Sequence, residues 1–429
     1  MISWFASVSS IIWNSESNFI INIGVTSFSI FLIITLSRIK LQSVIIILFL
    51  LLIYILTINK IPTTSDLFNS GKYILIFAGL IPTMGLVKST AQRLPNVKRS
   101  QILLSELPKD SFSSGFQITA HFFGAVINTG VFAMLAAAMP PGRGYAYRKT
   151  VAEASLRGMS SSATWSPFFV AFVVGQIYIG ATSAWFGLAI GLIMSLIFSI
   201  VSVLLLNREL TRKKFKKSLA CLQPVISTLL IIILFVVGSA IVFGLTALSA
   251  VIIVMPIMVS YYFLINPKHI YAISIDTLNY LEKSTDDVVI ISFAMIVGYF
   301  VTNSPDTLTA LRDLSIFTIP NWSVLIFIPV TMALVSLIGI HPVISSTVLL
   351  STFTSANFDI SGPLMMQAHL LGWCTGTMSS IASLSVISCS TLFQIPSSKL
   401  CYGNNSFIAM TFALFGGTIL TIANEFTRI

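Results

Sequence analysis

Charge is what this chain has least of. Only 9% of its 429 residues are Asp, Glu, Lys or Arg, against roughly a quarter in soluble domains, which excludes a globular cytosolic enzyme. Acidic residues number 14 and nearly all fall in loops or at the ends of apolar runs, as do Asp286, Asp287, Asp306 and Asp359. Carboxylates within a membrane mark proton and cation relays, so their scarcity disfavours a carboxylate-pair proton antiporter. The four cysteines (Cys221, Cys374, Cys389, Cys401) show neither CxxC spacing nor a disulfide framework, and read as small hydrophobes. HExxH, GxSxG and Walker sequences are missing, which leaves nothing that argues for hydrolysis or nucleotide use. The chain is expected not to be an enzyme and to need no cofactor beyond a coupling ion. Its N-terminus lacks a basic stretch and carries Glu16 before the first apolar run, the pattern of a retained span and not of a cleaved signal peptide.

Apolar residues fill the space that charge leaves. They make up 55% of the chain and break into runs of roughly 20 residues, the length that crosses a bilayer. The expected spans are 19–37, 41–58, 73–90, 150–179 and 183–206 in the first half, then 224–244, 245–265, 286–303, 364–393 and 404–424. Two further stretches, 112–139 and 322–357, could each cross once or dip in and return. With both read as re-entrant hairpins and the N-terminus outside, all of the 24 lysines and arginines except Lys60, Lys72, Arg312 and Arg428 fall on the cytoplasmic side, a strong positive-inside bias. If 112–139 crossed once, that bias would be lost. The net charge of +10 therefore reflects topology and not nucleic-acid binding. Each half then has five spans and one hairpin. Five is odd, so the second half enters from the opposite face and the repeat is inverted. The halves are 1–206 and 220–429, joined by a basic cytoplasmic linker, 207–219, read as a topology anchor in preference to lipid or partner recognition.

The halves also resemble each other in sequence. Ala154-Ser155-Leu156-Arg157-Gly158-Met159, followed by Ser160-Ser161-Ser162-Ala163-Thr164, recurs half a chain later as Ala368-His369-Leu370-Leu371-Gly372-Trp373 and Cys374-Thr375-Gly376-Thr377. The segments that hold them are each about 30 residues, and a straight helix of that length would run about 45 Å, half again the hydrocarbon thickness. A polar run interrupts both, and Pro167 follows the first. Both are expected to be discontinuous helices, broken near 160–167 and 374–380. Glu153 and Arg157, at i and i+4, have the spacing of an ion pair.

Non-helical backbone at membrane depth survives only where protein or a water-filled cavity satisfies it, and small polar residues also serve close helix packing. Four polar clusters in matching positions of both halves nonetheless favour a transport site. The first hairpin tip offers Asn128, Thr129 and Gly130; the second offers Ser345, Ser346 and Thr347. The two breaks offer Ser160, Ser161, Ser162 and Thr164, and Thr375, Gly376, Thr377, Ser379 and Ser380. Hydroxyl and amide oxygens there would suit Na⁺, at Asn128, Ser160, Ser346 and Thr375 among others, while helix N-termini would face an anion. His341, at the second tip, and His369 are candidate proton or substrate contacts because imidazole titrates near neutrality.

With these features the chain resembles the ion transporter superfamily: divalent-anion/sodium symporters, citrate carriers, TRAP large membrane subunits and arsenite carriers. The resemblance implies an all-α polytopic membrane protein of two inverted repeats, each of five transmembrane helices plus one re-entrant hairpin, with discontinuous helices. The Ser-Asn-Thr triplets of the dicarboxylate branch are matched in part by Ile127-Asn128-Thr129 and Ser345/Ser346-Thr347. It further implies ion-coupled, Na⁺-driven uptake of a small organic anion by elevator-type alternating access, in the cytoplasmic (inner) membrane, with membrane lipid and a second copy as neighbours. The alternatives are a Na⁺/H⁺ or arsenite-type exchanger working through a histidine, or a TRAP-type membrane subunit served by a periplasmic binding protein. A membrane enzyme or flippase for lipid-linked precursors fits less well, because outside loops are short and the spans hold almost no Arg or Lys.

Overall fold

The computed structural model describes residues 2–13, 18–57, 62–140, 142–206, 211–302, 319–355, 358–381 and 383–427. Among these every regular element is helical. Seven helical stretches are long and apolar enough to cross a membrane: Phe19–Leu36, Thr64–Ala91, Ala181–Leu206, Gln223–Phe243, Ala247–Ile265, Gly362–Phe393 and Asn404–Thr427. Side chains such as Phe186, Ile193 and Ile197 on one of them, and Leu230, Leu234 and Ile241 on another, are largely exposed. Apolar faces of that extent, on helices of that length, point to a membrane protein. Two expected spans, 41–58 and 286–303, end on residues outside the described ones; their described helices are Leu41–Thr57 and Thr285–Thr302, the second opening on two aspartates after its first residue.

The chain divides into two compact units that cut across the sequence halves. One comprises 1–89, 236–319 and 347–358; the other comprises 90–235, 320–346 and 359–429. The expected division at the 207–219 linker describes the repeat, while each compact unit draws on both halves. Arg208, Glu209 and the start of that linker lie outside the described residues, as do Lys60, Asp306 and Arg312.

The first unit begins with a helix the span reading did not anticipate, α1 (Ile2–Trp13). It folds back on α2 (Asn18–Leu36) and reaches α4 (Thr64–Ala91) because two glycines let it: a Cβ on Gly24 would come 2.5 Å from the Ala6 Cβ, and one on Gly79 would overlap the Ser7 hydroxyl. A reciprocal cap starts α4, with Thr63 N donating to Asp66 Oδ2 at 2.9 Å and Asp66 N donating to Thr63 Oγ1 at 3.2 Å. The helix α3 (Leu41–Thr57) is held at its N-terminus by Asp286, the second residue of α15 (Thr285–Thr302). That carboxylate accepts from Lys40 N at 3.0 Å and Ser43 Oγ at 3.1 Å, where the helix dipole favours negative charge. Ala247–Ile265, the amphipathic Ile270–Lys283 and the C-terminal parts of Gln223–Phe243 and Pro342–Ser355 also belong to this unit.

The second unit carries every expected site residue except Thr347. Two short helices, α5 (Pro95–Ser105) and α11 (Arg212–Ala220), lie at its edge. Between them run α6 (Phe112–Ile127), α7 (Gly130–Ala138), α8 (Tyr145–Ser162), α9 (Val170–Ile179) and α10 (Ala181–Leu206). After α12 (Gln223–Phe243), which passes from this unit into the first, and α13 (Ala247–Ile265), α14 (Ile270–Lys283) and α15, the later half adds six helices. They are α16 (Asn321–Leu337), α17 (Pro342–Ser355), α18 (Gly362–Ser379), α19 (Leu384–Phe393), α20 (Ser397–Cys401) and α21 (Asn404–Thr427). The closest partners are α6 with α8, and α16 with both α18 and α21.

Candidate functional site

Both expected interruptions are present. The first falls at 163–169, between the 18 residues of α8 and the 10 of α9; the second falls at 380–383, between the 18 of α18 and the 10 of α19. Each begins later than the polar runs predicted, because the hydroxyls bond backwards and continue the helix. Ser161 Oγ donates to Gly158 O at 2.8 Å, Ser162 Oγ to Met159 O at 2.6 Å, Thr375 Oγ1 to Leu371 O at 2.9 Å and Ser379 Oγ to Thr375 O at 2.7 Å. Ser160–Ser162 and Thr375–Ser379 are thus last-turn residues of the leading helices, and only Thr164 and Ser380 lie in the gaps. The helix after the second gap is capped by Ser383, whose Oγ accepts from Val386 N at 3.2 Å.

Each interrupted helix seats on the two-helix segment before it. In the first half that segment breaks at Asn128–Thr129, where Asn128 takes the left-handed φ of 49° and its Oδ1 accepts from Thr129 N at 2.8 Å. Gly130 is the first residue of α7. The start of the segment meets the start of α8: the Phe112 and Tyr147 rings lie 5.0 Å apart, and the Arg143 guanidinium covers both, at 5.7 and 5.0 Å. Burial pushes the Tyr147 phenol up to about 12, against the opposing pull of Arg143. The segment's tip touches the first interruption, with Ser166 Oγ donating to Ala125 O, and a Cβ on Gly124 would meet Met159 and Ser162 Oγ at 3.0 and 3.2 Å.

The second half repeats the arrangement with different residues. Its segment breaks at 338–341, where Gly339 has φ 91°. Helix α21 holds the start of this segment, with Thr421 Oγ1 donating to Trp322 O at 2.9 Å, and its Asn424 Nδ2 donates to Asp359 O, ahead of α18, at 3.2 Å. A Cβ on Gly376 would press on Ser336 Oγ and Pro342 at the break. Ser346 Oγ bonds His369 Nδ1 at 3.1 Å. Ser345 Oγ instead donates to Pro342 O at 3.2 Å, and Thr377 Oγ1 to Cys374 O at 3.1 Å.

The histidines are held in defined tautomers. His369 Nε2 faces the Ala171 carbonyl at 2.8 Å, so that nitrogen carries the proton and Nδ1 accepts from Ser346. In His121, which the sequence reading left aside, Nε2 accepts from Trp165 Nε1 at 3.1 Å and Nδ1–H therefore donates to Ser161 Oγ at 2.9 Å. Both rings clamp one helix to another with both nitrogens engaged. His341 differs: Nδ1 accepts from Val343 N at 3.2 Å, and Nε2 has no hydrogen-bond partner among the described residues.

Some groups remain unspent. Ser160 Oγ, Ser336 Oγ and Thr347 Oγ1 are buried without a hydrogen-bond partner among the described residues, a condition they share with Thr119 and Ser406 among others. A buried polar network also appears that local spacing did not announce. Arg157, 2% exposed, donates from Nη1 to Asn405 Oδ1 at 2.7 Å and from Nε to Gln117 Oε1 at 3.2 Å. The expected Glu153–Arg157 ion pair does not form; Glu153 pairs with Lys149 at 3.6 Å. Gln367, its amide nitrogen turned to the first gap, donates to Thr164 O and Gly187 O, both at 3.1 Å, and so supplies a partner for a carbonyl that the break sets free. Gln117, Gln367 and Asn405 gave only one signal in the sequence: amides inside apolar runs.

The two halves interlock where these helices cross. α9 packs on α18 and α19 packs on α7 and α8, with Cys389 Sγ donating to Ala152 O at 3.4 Å. Both gaps, the Thr164 carbonyl and the Ser160 and Ser336 hydroxyls belong to the second unit, whereas Thr347 belongs to the first. A cavity of about 480 Å³ lies elsewhere, in the first unit, between Trp4, Phe28, Phe77 and Leu281, and holds none of the expected residues. No protein-family model matches this chain, and no curated protein matches it either.

Proposed function

We propose that this protein is an ion-coupled secondary transporter of a small organic anion, driven by Na⁺, in the cytoplasmic membrane. One observation carries the proposal: two interrupted helices with the same 18- and 10-residue pieces, each packed on the helix that opens the segment before it, α8 on α6 and α18 on α16. Paired discontinuous helices in duplicated halves are the construction of secondary-transporter binding sites. In this reading the two-helix segments 112–138 and 321–355 are re-entrant hairpins, the halves are inverted repeats, and the unit that carries both interruptions is the body that binds substrate. Asn128, Thr129 and Ser160 form one half-site; Ser346, Thr375 and Ser380 form the other. The uncapped N-terminus of α9 and the Ser383-capped N-terminus of α19 would turn their positive dipole ends to the anion's charge, and hydroxyl and amide oxygens would coordinate Na⁺. His121 and His369, with both nitrogens bonded, serve as struts in this mechanism and not as proton carriers.

Purified protein in proteoliposomes tests it. Uptake of a matching organic anion is expected to require an inward Na⁺ gradient and to be lost in Asn128→Ala and Ser160→Ala. Ser160 is the sharper probe, because its hydroxyl makes no hydrogen bond among the described residues and its removal should leave stability unchanged. Full Na⁺-driven uptake by both variants would refute the site assignment, and uptake indifferent to Na⁺ would refute the coupling.

A further inference from the structure

The basic linker does more than carry charge: from Arg212 onward it is a helix with a polarised surface. In α11, Lys214 and Ser218 form the inner side, with Lys214 Nζ on Asp110 Oδ2 at 2.8 Å and Ser218 Oγ on Ser114 Oγ at 2.8 Å. At 100° per residue Arg212, Lys213 and Lys216 point away from that side and Lys217 flanks it, and all four are exposed. Helix α5 continues this face. It turns Val97, Ser100 and Leu104 inward, ties itself to the end of α11 through Ser100 Oγ donating to Cys221 O at 2.7 Å, and exposes Lys98 and Arg99. None of these six cations is ion-paired among the described residues; of the nearby acids, Asp110 is taken by Lys214, and Glu106 stands at the C-terminal end of α5. Beside them three apolar side chains are also exposed: Ile102 at 56%, Leu103 at 36% and Leu219 at 40%.

A surface cationic and apolar at once suits the boundary between lipid headgroups and acyl chains. Its position points the same way. The span-length helices α10 and α12 end at Leu206 and begin at Gln223, so α11 is confined within a few residues of the membrane surface. We propose that α5 and α11 form a binding surface for anionic phospholipid, with Arg212, Lys213, Lys216, Lys217, Lys98 and Arg99 on the phosphates and Ile102, Leu103 and Leu219 in the acyl boundary. A simple topology anchor would respond alike to all lipids; this surface discriminates by headgroup charge.

The test uses the full chain in detergent. Added phosphatidylglycerol is expected to raise the unfolding temperature more than phosphatidylcholine does, and glycerol phosphate alone is expected to leave it unchanged. The variant combining Arg212→Gln, Lys213→Gln, Lys216→Gln and Lys217→Gln should lose more than half of the phosphatidylglycerol-dependent shift. Equal shifts with both lipids, or a full shift in the variant, would overturn the proposal. If that variant does not fold, Leu219→Cys in the otherwise native chain decides. A bimane there should be quenched more strongly by doxyl-labelled phosphatidylglycerol than by doxyl-labelled phosphatidylcholine in mixed bilayers, and equal quenching would again overturn it.

Discussion

Gly158→Ala is the most informative single substitution in the site. Gly158 faces α6 so closely that an added Cβ would overlap the Gln117 carbonyl oxygen, with the carbonyl carbon at 2.9 Å and the Ala120 Cβ at 2.8 Å. Backbone cannot rotate aside, so α6 must withdraw from α8 by about 1 Å to restore ordinary contact. That displacement stretches the 2.9 Å Ser161–His121 and 3.2 Å Arg157–Gln117 bonds beyond hydrogen-bonding range. Overpacking costs about 1–3 kcal/mol, and two buried bonds lost cost roughly 1–2 kcal/mol each. Alanine's better helix propensity returns about 1 kcal/mol, leaving a net loss of about 2–6 kcal/mol. Thermal unfolding in detergent should fall by on the order of 10 °C. The control is Gly238→Ala, in α12, where an added Cβ meets nothing within 4 Å and slight stabilisation is expected. If the two variants melt together, α6 and α8 are not packed backbone to backbone and the seat of the first interrupted helix is wrong.

Three further outcomes follow from the same contacts. Arg157→Met should destabilise by about 2–4 kcal/mol, because Gln117 and Asn405 each lose a charged donor while buried; a denaturant midpoint equal to wild type would show that the network carries no stability. Ser346→Ala strips His369 Nδ1 of its donor and should lower the unfolding temperature as well as uptake, whereas Ser160→Ala should lower uptake alone; identical melting of these two variants would show that the Ser346–His369 bond carries no stability. Burial pushes the Cys221 thiol up to about 11 from an ordinary 9.0, so the folded protein should resist maleimide near neutral pH. The unfolded thiol ionises first, so this group's contribution to stability is complete below pH 9 and is lost as pH rises from there to about 11. Rapid labelling of Cys221 at neutral pH would contradict that burial.

The interrupted helices were legible because their signal is local: a 30-residue apolar segment too long for one span, a run of small hydroxyls, and in the first copy a proline. The exact gaps were not. A serine or threonine within a helix can return its hydroxyl to the carbonyl three or four residues back, and Ser161, Ser162, Thr375 and Ser379 all do, so polarity began before the helix ended. The hydrogen-bonding partners of Arg157 were out of reach for a different reason. Spacing pointed to Glu153, four residues away, but the guanidinium found Asn405, 248 residues along the chain. The short helices α1, α5 and α11 also escaped a search tuned to span length, and with α11 went the face that separates Lys214 from the cations around it.

The interleaving of the two compact units bears on how the protein is made. Residues 90–235 form a unit only with 320–346 and 359–429, so the first interrupted helix leaves the ribosome long before α18, α19 and α21 exist to cover it. His121 can engage Ser161 and Trp165 at once, but Arg157 must wait for Asn405 and the Thr164 carbonyl for Gln367. Late closure of that kind is slow and leaves polar groups uncovered meanwhile. A nascent chain stalled after α10 is therefore expected to be a preferred target of membrane quality-control proteases, even though every span made up to that point is intact.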